Sequence, residues 1–597
     1  MPPDLRTTYE LGNHNQTTTW LECITFYKDL AARYPHVLHF EQIGLSDSGV
    51  PIHAGVVSAD GVFDREQIKR AGRTVFFNNN GIHPGEPEGI DACMAIVRDL
   101  CTQPERLAAL GSTVLLFIPI YNVDGSLNRA NTSRVNQDGP EQFGFRGNSR
   151  HLDLNRDFIK CDSLNAQVFN RLLASWDPDV MVDTHTSNGA DYPYTMTLIH
   201  TQTDKLGNGL GPFLQDTMLP HIFAAMESAG WPTCPYVNPV KDSPDHGIAE
   251  FLEVPRFSTG FAALHHVIGF MPETHMLKPF ADRYASMRAL LDITMAFTVK
   301  HGEQIKQLRA QAKAAGRTQA EWPIHWTMNE EQASTFPFKG YAAQYTPSIL
   351  GDYQRLSYDR SQPWERDIAY YNRFDADVTV AAPKAYVVPQ AWREVIERLR
   401  WNGVEMSRIT AEQTVTARYY HIADVGTRAT AYEGHMFHDT VEVEARTGQF
   451  TLQAGDYVIS LAQDKAGDTF KANLVLADIK GSPKALQSSG ISGDISGTQG
   501  ARSINGKFSS PFQGNLESLI FDLPKLAGNI DIKDPAIPNG AAKVGFALSL
   551  HADAKQEKVN SAFNLNVDAT KLNGDVAVNS FKKPDVPGKH RVELVFD

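Results

Sequence analysis

A chain of 597 residues exceeds one ordinary domain; at about 150 residues each it has room for roughly four, or fewer if one is a large α/β enzyme domain. With 42% hydrophobic, 21% charged and 10% aromatic residues it is neither disordered nor fibrous, and apolar runs such as Val114-Leu115-Leu116-Phe117-Ile118 fall far short of the ~18 residues of a membrane span. Lys+Arg 56 against Asp+Glu 69, a net charge of -13, argues against nucleic acid or an anionic membrane as a major partner. Five scattered cysteines without a CxxC pair give neither a disulfide framework nor a thiolate zinc site. The start, Met-Pro-Pro-Asp-Leu-Arg, has no apolar stretch of the signal-peptide kind. The expectation is a soluble multidomain protein, cytoplasmic by default, with the envelope or periplasm open if the N-terminus is incomplete.

Along the first 300 residues, apolar β-type runs at 52–58, 74–79, 113–120, 180–184 and 267–272 alternate with helical stretches at 87–100 and from 280 to about 315. Several of the runs are continuously apolar, which predicts strands covered on both faces in a layered α/β domain with a largely parallel or mixed sheet. Residues 316–465 mix β-type runs (377–380, 386–388, 441–445) with a helix at 390–401 and are expected to form a smaller accessory domain, α/β or β-rich. Every Trp lies at or before Trp401, every Tyr at or before Tyr457 and every Cys at or before Cys234. That compositional shift sets a boundary near residue 465. Beyond it, from 466 to 597, short alternating strands broken by Gly, Asn and Asp predict an antiparallel β module.

The strongest chemical signal is Asn78-Asn79-Asn80-Gly81-Ile82-His83-Pro84-Gly85-Glu86, after an apolar strand and before a helix. His83 and Glu86 thus stand at the carboxyl end of a strand, where open α/β sheets place ligands, and an imidazole and a carboxylate at that spacing can reach one Zn²⁺. A second strand ends in Asp183-Thr184-His185 and a third in Pro272-Glu273-Thr274-His275. Three strands that each deliver a His or Glu suggest a His₂Glu zinc site plus a free carboxylate, with a fourth coordination position left to water.

Between the first two motifs lies Phe145-Arg146-Gly147-Asn148-Ser149-Arg150-His151-Leu152-Asp153-Leu154-Asn155-Arg156-Asp157-Phe158. With it, roughly residues 8–300 resemble the zinc metallocarboxypeptidases of the carboxypeptidase A type, through HPGE, FRGN, DLNRDF, DTH and PET in that order. The entry segment at 43–52 looks like the family's first hairpin. The resemblance implies an α/β/α catalytic domain over 1–315 that removes C-terminal residues from peptides. It assigns one Zn²⁺ to His83, Glu86 and His185, and makes Glu273 the general base toward a zinc-activated water. It makes Arg146 the oxyanion partner, although Arg129, Arg134 and Arg150 lie nearby. It gives Asn155 and Arg156 the substrate's free terminal carboxylate, and Asp153 the orientation of a zinc-binding His.

One departure concerns a tyrosine that the family carries about twenty residues before its catalytic glutamate. The span 245–270 has none, and Phe257 is the nearest aromatic. His246, His265, His266 and His275 read as structural or exposed, His275 being the likeliest of them to support the site. Glu88 reads as facing solvent, and Cys93 and Cys101 as ordinary helix-face residues. Residues 468–581 resemble the C-terminal region of AsmA-like outer-membrane assembly proteins, through Lys480-Gly-Ser-Pro, Gly506-Lys-Phe-Ser-Ser-Pro, Leu523-Pro-Lys-Leu and Asp534-Pro-Ala-Ile, which implies a β-rich module of the bacterial envelope. Two other readings stand beside the exopeptidase. One is a zinc deacylase or amidohydrolase acting on N-acyl amino acids or cell-wall peptides; the other is a non-catalytic zinc-binding scaffold, against which an intact Glu273 argues.

Overall fold

A computed structural model describes residues 5–461 except 208, most of 469–579, and 595–596. The expected boundary near 465 and the Asp534-Pro-Ala-Ile stretch lie outside the described residues. The chain forms two compact units, Met1–Ile459 and Ser460–Asp597.

The first unit is organised by a mixed sheet. Its strands are β1 (Leu38–Leu45), β2 (Pro51–Val57), β3 (Val75–Asn79), β4 (Val114–Ile118), β5 (Val180–Asp183), β6 (His185–Ser187), β7 (Met196–His200) and β8 (Thr233–Pro235), with β9 (Ile248–Ala249) outside this sheet and β10 (Ile268–His275) at its centre. The spatial order is β1-β2-β4-β3-β5-β10-β7-β8, with β6 also paired to β10. The central strands β4, β3, β5 and β10 run parallel, while β1, β2 and the β10–β7 pair are antiparallel. All residues of β3, β4, β5 and β10 are buried, which explains why these strands read as continuous rather than alternating apolar runs.

Successive residues of these strands feed opposite layers. Phe76, Leu115, Val182 and Phe270 pack under the helices Trp20–Arg33, Glu88–Thr102 and Phe280–Thr318. Val75, Phe77, Leu116 and Met181 pack under Leu164–Trp176 and Ser258–Leu264 on the other face. The result is the expected three-layer α/β/α arrangement, with the parallel strand ends free to carry a site.

Glu88 does not face solvent as expected. It is fully buried at the start of its helix, where Arg283 Nε donates to it at 2.6 Å and Thr186 Oγ1 at 2.6 Å. The buried Arg283, from a helix 195 positions away, makes that burial possible by pairing the charge. Gly89 follows for a steric reason: a Cβ there would stand 1.9 Å from Thr184 Oγ1, so only glycine lets the helix start approach the β5–β6 junction.

Residues 321–460 are mostly strands. β11 (Glu321–Met328) pairs with β14 (Phe374–Ala381), and β12 (Ser334–Pro347) with β13 (Gln354–Tyr371), which also joins β9. One helix, Arg393–Trp401, sits against residues 160–162: Arg398 donates to Lys160 O at 2.6 Å and to Asp162 at 3.2 Å. A long hairpin, Gln413–Tyr432 with His435–Leu452, contains the expected β-type run at 441–445 but extends far beyond it on both strands.

The second unit is an antiparallel meander in which each strand pairs with the next from Ala485–Gln499 to Thr570–Asn579. Register shifts at Ser488/Ile491, Ser509/Gln513 and Leu523/Leu526 fall on three neighbouring strands, so the irregularity crosses the sheet as a row. No helix among the described residues is long and apolar enough to cross a membrane.

Candidate active site

His83 and Glu86 leave the end of β3 in the turn before the Glu88–Thr102 helix, and His185 opens β6. Their ligand atoms all lie within 4.8 Å of one another, and all three side chains are buried. His83 Nδ1 stands 3.2 Å from Glu86 Oε1, and His185 Nδ1 stands 3.0 Å from Glu86 Oε2. On the far side of each ring a carboxylate holds Nε2: Asp153 at 2.9 Å for His83 and Asp183 at 3.1 Å for His185. Those partners assign the Nε2–H tautomer to both rings and turn both Nδ1 lone pairs toward Glu86.

The electrostatics call for a cation. Glu86, Asp153, Asp183 and Glu273 surround the two imidazoles. Burial alone would raise Glu86, yet Arg134 and His83 hold it well below the usual carboxylate range. Asp153 is likewise held far down, against burial, by His83, Arg146 and Arg156. Burial opposes charge on His185, but Asp183 and Glu86 raise its pKa well above the ordinary value, so the field that keeps a proton on the ring suits a divalent cation. A buried His-Glu-His donor set with carboxylates behind both rings fits Zn²⁺.

Glu273 is the register partner of His185 on the parallel strands β10 and β6, so the sheet itself sets it beside the cluster. Burial, reinforced by Glu86 and opposed by His185, pushes its carboxyl up to about 8. Arg146 donates to Asp153 Oδ2 through Nε (3.0 Å) and Nη2 (2.8 Å), and its Nη1 reaches His83 Nδ1 at 3.3 Å. Arg134 also enters the site: it donates to Glu86 Oε1 at 2.5 Å and to Thr186 O at 2.7 Å, while Gln137 ties its loop to Gly85 O. Arg129 instead bonds the carbonyls of Thr17, Thr18 and Gln142, and Arg150 bonds Asp162 O.

Asn155 and Arg156 lie in a short 3-10 turn whose N-cap is Asp153. Asn155 is buried and its Oδ1 has no partner. The Arg156 guanidinium stacks 4.3 Å from the Phe257 ring centroid, so Phe257 serves as a platform for Arg156. His275 Nε2–H donates to Ala190 O at 2.7 Å, its Nδ1 accepts from the Leu277 N–H, and the ring packs edge-on to Tyr192, and so braces the loop after β6.

Sequence reasoning missed Asp183, Arg134, Tyr236 and Glu253. Asp183 was legible, two residues before His185 on one strand. Tyr236 follows β8, and burial together with Glu273 and Glu86 pushes its hydroxyl well up, which places a phenol in the field of the site. Glu253 is buried and raised to about 7 by burial, with Thr259 donating to it. Neither carries a motif.

Fold and site together place a candidate metal-binding cluster at the carboxyl ends of a mixed sheet. Residues 23–204 match the zinc carboxypeptidase family model, which supports a metallocarboxypeptidase-class hydrolase, and His83, Glu86 and His185 form the candidate site for its Zn²⁺. Among curated relatives, carboxypeptidase 2 of Trichophyton equinum is 21% identical over 66% of this chain and 70% of its own, and the probable carboxypeptidase 2 of Arthroderma benhamiae is 21% identical over 66% and 72%. Among solved structures, a metallo-carboxypeptidase from Burkholderia cenocepacia superposes with a TM-score of 0.36 at 13% identity, over 48% of this chain and 70% of that one.

Proposed function

We propose that the protein hydrolyses the C-terminal peptide bond of peptides, with His83, Glu86 and His185 as zinc ligands and Glu273 as general base. The observation that carries the reading is the strand register that sets Glu273 opposite His185, which puts a high-pKa carboxyl next to a three-donor metal cluster. Zn²⁺ held there supplies Lewis acidity, polarising the scissile carbonyl and making water a stronger acid. Glu273 accepts the proton of the attacking water on a carboxylate oxygen and returns it to the amine nitrogen as the C–N bond breaks. Burial raises its carboxyl above the ordinary glutamate value, which makes it a better base toward that proton.

Arg146 stands beside His83 and Glu86 with Nη1 turned toward the cluster, and can donate to the oxygen that gains negative charge. Arg156 and the Nδ2–H group of Asn155 bind the substrate's terminal carboxylate, with the guanidinium resting 4.3 Å from the Phe257 ring centroid.

The test compares peptides with free and amidated ends, with and without chelator. Arg156→Ala should lower kcat/KM for the free-acid peptide by about 10²-fold and leave the amide nearly unchanged, the loss of a charge-assisted bidentate contact. Equal responses of the two peptides would favour a deacylase that does not read the terminus.

A further inference from the structure

The substrate anchor is held by a part of the chain far from it in sequence. The long hairpin ends in a two-residue turn, Glu433-Gly434, with φ of +47° and +79° and Tyr432 paired with His435. Positive φ at both positions matches the strand twist and fixes where the tip side chains point. A register shift between Thr427 and Ala431 re-aims this tip relative to the rest of the hairpin.

The tip meets the segment that carries the site. The Tyr432 hydroxyl accepts from Arg156 Nε at 3.2 Å. Glu433 Oε2 accepts from the backbone N–H of Asp153 at 2.9 Å, and Glu433 O accepts from Lys160 Nζ at 3.3 Å. His435 Nε2 lies 2.5 Å from Asp162 Oδ2. The Arg256 guanidinium covers the rings of both Tyr432 (5.7 Å) and Phe437 (5.5 Å). The tip therefore touches the backbone of the carboxylate that orients His83 and the side chain proposed to hold the substrate.

We infer that Tyr432 is a positioning residue for substrate recognition, and that the tip of the 413–452 hairpin forms part of the substrate site. The arrangement around Arg156 carries this. Its Nε–H goes to Tyr432, its Nη1 donates to Asn155 O at 2.9 Å, and its face rests on Phe257. Together these restrain the guanidinium, whose Nη1 also faces Asp153 Oδ2 at 3.9 Å, and leave Nη2 for a substrate carboxylate. Without the phenol, Nε–H would seek water or the substrate, and the guanidinium could turn on Phe257. A pre-set plane binds a carboxylate with less ordering to lose.

This inference rests on the reading of Arg156 as the carboxylate anchor, and the experiment separates the two. Take the Glu273→Gln chain loaded with zinc, so that peptides bind without turnover. Measure Kd by calorimetry for the tightest-binding member of a panel of N-acetyl dipeptides, as free acid and as amide. Tyr432→Phe in that background keeps the ring under Arg256 and removes only the hydroxyl. The ratio of amide to acid Kd should fall about three- to tenfold, the lower part of what a hydrogen bond to a charged group supplies. Zinc content and the amide Kd should stay as they were. In the active enzyme the same change should raise KM for the acid and leave kcat nearly unchanged. If Arg156→Ala abolishes the ratio and Tyr432→Phe leaves it intact, the positioning role is wrong and the anchor stands. If Arg156→Ala leaves the ratio intact, the anchor reading fails and this one with it. Equal weakening of acid and amide by Tyr432→Phe would mean the hairpin only stabilises the fold, which also overturns the inference.

Discussion

The candidate metal cluster draws His83, Glu86 and His185, with Glu273 beside them, from the ends of neighbouring strands, whereas the proposed anchoring side draws on a loop turn and a hairpin tip 276 positions away. On the first side every donor is buried, and each imidazole has its own carboxylate; on the second, Tyr432 is 39% exposed and the Arg156 side chain 23% exposed. The difference follows from what each side must do. A metal needs fixed donors and a dry shell, while a peptide terminus must enter and leave. Sheet register supplies the first, and surface segments supply the second.

The largest effect should come from removing both imidazoles. His83→Ala with His185→Ala leaves Glu86 as the one remaining ligand of the three. Zinc in the purified protein should fall to background and hydrolysis with it; undiminished zinc by elemental analysis would show that the metal sits elsewhere. Asp183→Asn is milder. It keeps His185 but replaces the carboxylate behind its ring, and zinc affinity should weaken by about 10- to 100-fold in competition with a chromophoric chelator. An unchanged affinity would make Asp183 a strand-end contact alone.

The smallest effect is a pH shift. Burial pushes Glu273 to about 8 in the chain without metal, and a bound cation acts in the opposite direction. A base works only when deprotonated, so kcat/KM should fall as pH drops through its pKa. The acid limb should lie above the ordinary glutamate value of about 4.3 and below about 8, with zinc retained across the range. A profile flat down to about pH 4.5, with the metal still bound, would remove Glu273 from the proton transfer.

The same contrast explains what the sequence revealed. HPGE, DTH and PET could be read because each lies at or within a few residues of the end of a continuous apolar run, and the strand's burial and the His or Glu position are both local facts. Strands β3, β4, β5 and β10 fall where their apolar runs do for the same reason. Glu88 was misread because a first-turn glutamate looks solvent-facing until Arg283 arrives from a helix that no local pattern connects to it. Arg134 touches Glu86 across 48 positions, and Tyr432 touches Arg156 across 276; neither bears a spacing that marks it. The hairpin over 413–452 was legible only at its 441–445 run. Its strands are exposed on both faces through most of their length, so they carry little of the apolar alternation that signals a strand.

The central claim is that Glu273 does the chemistry at a zinc site it does not help to bind. Glu273→Gln keeps the shape of the side chain and removes the base. Zinc stoichiometry and turnover of a free-acid peptide, measured on one preparation, test this directly. One zinc per chain with kcat lowered by about 10²–10⁴-fold is the expected result. Turnover that survives the substitution with zinc in place would contradict the assignment.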